Sequence, residues 1–101
     1  MNKQTREIMN ITLEECAEVT QAISKVFRFG FNSCHPDTPD VTNKMHLEEE
    51  VGDLLCMIDL LQEYRILDEE LITKAFYAKR EKLKKWSPDA LSIDDVLKSG
   101  K

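Results

Sequence analysis

Two acidic clusters, Glu14-Glu15-Cys16-Ala17-Glu18 and Glu48-Glu49-Glu50-Val51-Gly52-Asp53, sit inside stretches whose apolar residues recur with helical spacing. No other feature constrains the fold as much. Successive helical residues turn by about 100°, so Glu15 and Glu18 lie about 60° apart, and Glu50 and Asp53 likewise. Each helix then offers an i, i+3 pair of carboxylates to one side, with Glu14 and Glu49 flanking. Packed side by side, the two helices gather four or more negative charges, which repel one another unless cations neutralise them. Hard, oxygen-loving divalent ions are the natural choice, above all Mg²⁺. A solvated charged face accounts for either cluster alone. It accounts less well for two clusters that are each embedded among small and apolar residues.

Around these motifs the chain reads as three long helices. The first is expected from about Thr5 to Phe29 on the stripe Ile8, Ile11, Val19, Ile23 and Val26. Thr12-x-x-Glu15 also fits a capping box, but the apolar pattern begins before it. Gly30 is a plausible stop. The run from there to Asn43 is dense in turn formers, and loops of that length are often functional. Thr42 or Asn43 caps a second helix, Lys44 to Tyr64, with Leu47, Val51, Leu54, Leu55, Ile58 and Leu61 as its core stripe. Gly52 within it reflects either close approach of a neighbour or simple tolerance. Asp68 caps a third helix, with Glu69 and Glu70 in its first turn and Leu67 and Ile72 at staple spacing. Leu71, Ile72, Ala75, Phe76, Leu83 and Trp86 carry it to Ser87-Pro88. Ser92 to Leu97 reads as a short terminal helix. The fold class is all-α, a helical bundle.

The 101 residues form one domain, 1–101, with a motif core of about 8–86 and a tail over 87–101. A chain this short buries a modest fraction of its surface alone, so self-association is expected. A net charge of −5 argues against nucleic-acid binding, where basic surface supplies most of the affinity. No apolar run approaches the roughly 20 residues that span a bilayer, and the N-terminus lacks a signal-peptide core. A cytoplasmic protein is expected. Cys16, Cys34 and Cys56 have no C-x-x-C spacing and read as free thiols, two of them core-like. A zinc site using Cys34 with His35 or His46 is a weaker alternative to surface histidines in or beside the loop.

The pattern Glu-Glu-x-x-Glu, then Glu-x-x-Asp with trailing Leu-Leu, resembles the MazG-like family of the all-α nucleoside triphosphate pyrophosphohydrolase superfamily. The likeness extends over roughly Ile8 to Trp86, in helix order as well as motif. It implies Mg²⁺- or Mn²⁺-dependent hydrolysis between the α and β phosphates, and homodimers or tetramers whose helices complete four-helix cores. By position, Glu15, Glu18, Glu50 and Asp53 become metal ligands. Glu14, Glu15 or Glu49 accepts the proton of the attacking water.

Of the basic residues, Lys79 is the first choice for the phosphates, followed by Lys25 and Arg28. Many relatives carry an Asn in the third-helix region near the substrate, and this chain has none after Asn43. Phe27, Phe29, Phe31 and Trp86 suit core or dimer contacts better than base stacking, and the loop Phe31–Val41 suits base selection or a lid. Two competing readings are phosphoribosyl-ATP pyrophosphohydrolase, which has the same chemistry, and a non-catalytic acidic helical protein that binds nucleotide or a partner.

Overall fold

Asn2 starts the first helix. Its side-chain oxygen accepts from Thr5 N at 2.8 Å, and α1 then runs unbroken from Lys3 to Phe29. It begins two residues before the apolar pattern suggests, because the cap lies outside that pattern. Thr12 caps nothing: it sits mid-helix and its hydroxyl donates to Ile8 O at 2.7 Å. Gly30 ends α1 at φ 90°, a conformation costly for any residue with a Cβ, and its N–H bonds back to Val26 O. Thr42, rather than Asn43, caps α2, which spans Asn43–Glu63. That helix closes in a Schellman arrangement, with Arg65 N donating to Gln62 O and Ile66 N to Leu61 O. Arg65 takes the left-handed conformation, φ 56°, that this ending demands.

The computed structural model describes residues 1–91, and the short helix expected at Ser92–Leu97 lies outside the described residues. All named elements are helical; the described residues contain no strand, only an isolated bridge between Cys34 and Thr42. The chain divides into two compact units, Met1–Ile66 and Leu67 onward.

The first unit is an α1–α2 hairpin. Ile8, near the start of α1, packs with Met57 and Leu61, near the end of α2, while the opposite helix ends share the loop, so the helices are antiparallel. Ile11, Leu60 and Ile66 pack around that cluster. On α1, the buried or half-buried Ile8, Ile11, Thr12, Glu15, Val19, Ala22 and Val26 fall within an arc of about 100°. Glu15 therefore lies on the packing face itself. On α2, His46, Leu47, Glu50, Leu54, Met57 and Leu61 share the corresponding face, and Glu50 occupies the matching place.

Several expected core residues are uncovered. Ile23, Val51, Leu55, Leu71, Phe76 and Trp86 are exposed, as are all three cysteines, so the expectation of core-like thiols is corrected. A helix pair can bury only one stripe per helix, and Ile23 on α1 and Val51 and Leu55 on α2 lie beyond it. A Cβ at Gly52 would meet no atom within 4 Å, which removes close approach within the described chain as the reason for that glycine.

The second unit comprises α3, Glu69–Trp86, and a short 3-10 helix, Pro88–Leu91. Asp68 is its N-cap, accepting from Glu70 N at 2.8 Å, and Lys84 and Lys85 lie in the last turn where cations suit the dipole.

Candidate metal centre

Glu15 from α1 and Glu50 and Asp53 from α2 each offer a carboxylate oxygen within 4.8 Å of the others. Among the described residues this is the one grouping of three or more potential metal ligands, so Cys34, His35 and His46 make no zinc-type cluster there. The helical register explains the meeting. Glu15 and Glu50 project from the two packing faces toward each other, and Asp53 joins from one turn further along α2.

The three are not equivalent. Glu15 Oε2 is shut off from solvent and has no hydrogen-bond partner. Burial first, and then the charges of Asp53, Glu50, Glu18 and Glu14, hold its carboxyl above the ordinary 4.5. Glu50 is also largely enclosed, its side chain 13% exposed, yet it has a partner: His46 Nε2 stands 3.2 Å from its Oε1. Asp53 is exposed. An unpartnered, enclosed carboxylate oxygen beside two further carboxylates is the environment that a hard divalent cation satisfies, and the all-oxygen donor set suits Mg²⁺ or Mn²⁺.

Glu18 is exposed and stands outside the grouping, although its charge still acts on Glu15. Glu14 and Glu49 are exposed on the flanks. Lys25 and Arg28, also exposed, border a cavity of about 840 Å³ between the end of α1, the loop and the start of α2. That size is ordinary for a small-molecule site. Lys79 is an exposed residue of α3, in the second unit.

The loop forms the cavity wall because it is tied to α2. Asn43 N donates to Ser33 O at 2.8 Å, Lys44 N to Phe31 O at 2.9 Å, and the Asn43 side chain to Gly30 O at 2.9 Å. Loop carbonyls and the Thr42 hydroxyl thus take the first amides of α2, which would otherwise face an anion. The cationic side chains that border the cavity are Lys25 and Arg28. His46 and Glu49 also border the cavity, which brings it next to the carboxylates.

Sequence reasoning placed His46 in or beside the loop with a surface role. It lies in the first turn of α2, half-buried against Glu50. The signal was present in the i, i+4 spacing of His46 and Glu50, which puts the two side chains on one helix face.

The sequence model of the MazG nucleotide pyrophosphohydrolase domain matches residues 3–91. The chain belongs to the MazG family. Among curated proteins and among solved structures, nothing matches it. The match takes in both acidic motifs, the loop and α3, and the MazG domain implies a nucleotide pyrophosphohydrolase.

Proposed function

We propose that this chain is a divalent-metal-dependent hydrolase of nucleoside or deoxynucleoside triphosphates, acting on the nucleotide pool of the cytoplasm. Water adds across the α–β phosphoanhydride, and the products are a nucleoside monophosphate and pyrophosphate. The observation that carries the reading is the Glu15–Glu50–Asp53 grouping with its unpartnered Glu15 oxygen, in a chain of the MazG family.

Glu15, Glu50 and Asp53 hold the ion, with Glu18 as the fourth ligand. When bound, Mg²⁺ or Mn²⁺ offsets phosphate charge and acidifies coordinated water. Glu14, Glu15 or Glu49 accepts the water's proton, Glu14 and Glu49 being exposed residues of the same two motifs. Lys25 and Arg28 meet the phosphates from the cavity rim, the loop over Phe31–Val41 contacts the base, and Lys79 remains a further phosphate-binding candidate.

The active form is a homodimer or tetramer of single-domain chains, in which a second copy completes a four-helix core. The support is apolar surface left uncovered on the hairpin: Leu13, Phe27 and Leu55 are 69%, 86% and 59% exposed. Light scattering at micromolar concentration should return at least twice the chain mass, and a monomer would contradict the assembly.

A pyrophosphate-release assay with the eight common ribo- and deoxyribonucleoside triphosphates, in Mg²⁺, Mn²⁺ and chelator, tests the activity. Metal-dependent release with monophosphate as the second product is expected. Absence of release from all eight in either metal would overturn the substrate class.

A further inference from the structure

We propose that His46 is a positioning residue that holds the Glu50 carboxylate toward Glu15 and Asp53, and so preorganises the cation site. The inference rests on the metal reading above and adds a residue that neither acidic motif contains.

Three observations carry it. His46 Nε2 is 3.2 Å from Glu50 Oε1, with the two side chains only 31% and 13% exposed. An i, i+4 pair in open solvent contributes little, but this one stands where water screens it less. Glu50 is also pressed from the other side by like charge, since Glu15 and Asp53 bring oxygens within 4.8 Å. A glutamate so placed would rotate away unless something holds it. An imidazole that carries a proton on Nε2 is such a hold. His46 lies one turn before Glu50 and Asp53 about one turn after it, so attraction on one side opposes repulsion on the other. Finally, the same ring borders the α1–loop–α2 cavity, so it links the cavity wall to the ligand set.

Outer partners of metal ligands typically change metal affinity by about 10- to 100-fold when removed. The test titrates Mn²⁺ alone into metal-free wild type, His46→Ala and His46→Gln by calorimetry, with helicity checked by circular dichroism. Glutamine keeps an N–H donor at similar reach and alanine does not. Expected is about tenfold weaker Mn²⁺ binding in His46→Ala and near wild-type binding in His46→Gln. Equal affinity in all three proteins overturns the proposal. Equal loss in both variants also overturns it, because the ring itself, as ligand or as packing, is then what matters. Failure of the wild type to bind Mn²⁺ sinks the metal reading instead, so the two failures are distinguishable.

Discussion

Glu15 and Glu50 occupy matching places on the packing faces of α1 and α2, yet their surroundings differ. Glu50 has the His46 imidazole beside it, whereas Glu15 Oε2 is enclosed with no partner and its carboxyl titrates above the ordinary value. One acid is held by the protein, and the other is left for something the protein does not supply. The lesson is that a symmetric motif need not make a symmetric site. The same helical register can produce one carboxylate with a partner and one without.

The largest effect expected concerns activity, where the difference should vanish. Glu15→Gln, Glu50→Gln and Asp53→Asn should each lower turnover by at least about a hundredfold, because a bound ion supplies several kcal/mol of charge stabilisation. Steady-state kinetics on proteins of unchanged helicity would check this. Full turnover in Glu15→Gln alone would mean that the unpartnered carboxylate holds no ion.

Metal binding should also appear as stability. At a hundredfold excess over Kd, a ligand specific to the folded state adds about 2.7 kcal/mol. Thermal unfolding of the wild type with Mn²⁺ and with chelator should show such a rise, and Glu15→Gln and Glu50→Gln should both lose most of it.

Both helices have a side-chain N-cap, so Asn2→Ala and Thr42→Ala should each cost about 1 kcal/mol in denaturant unfolding. A much larger loss for Thr42→Ala would trace the Glu15–Glu50 difference to fraying of α2 rather than to local partners.

The smallest effect separates the two glutamates directly. Because the folded-state pKa of Glu15 is raised, the folded protein binds more protons than the unfolded chain between 4.5 and that higher value. Metal-free stability should therefore fall as pH rises through this window. Glu15→Gln should flatten that slope and leave the metal-free protein more stable near neutrality. Glu50→Gln, which removes only one of the charges acting on Glu15, should flatten it less. Urea titrations from about pH 4 to 8 in chelator would read this order, with the window set by the ordinary carboxyl value and the raised one.

Much of this was legible in the residues. Helical spacing located α1, α2 and α3 to within two residues, and Thr42, Asp68 and Gly30 act at their ends as turn and cap chemistry predicts. The motif spacing picked out Glu15, Glu50 and Asp53, which the hairpin brings together. Spacing alone did not reveal that Glu15 goes unpartnered or that Glu18 stands apart, because both depend on how one helix is set along the other. His46 adjoins a turn-rich run, which masks its i, i+4 relation to Glu50 in the sequence. The apolar residues expected in a core misled for another reason: periodicity marks a side chain that seeks cover and does not say what covers it. Leu55 and Leu71 both fit the apolar pattern, and both are exposed.

Crystals of the protein grown with Mn²⁺ and measured near the manganese absorption edge would test the central claim most directly. An anomalous peak at bonding distance from Glu15, Glu50 and Asp53 is the predicted result. Mn²⁺ bound elsewhere on the protein, with no peak between these three carboxylates, would contradict it.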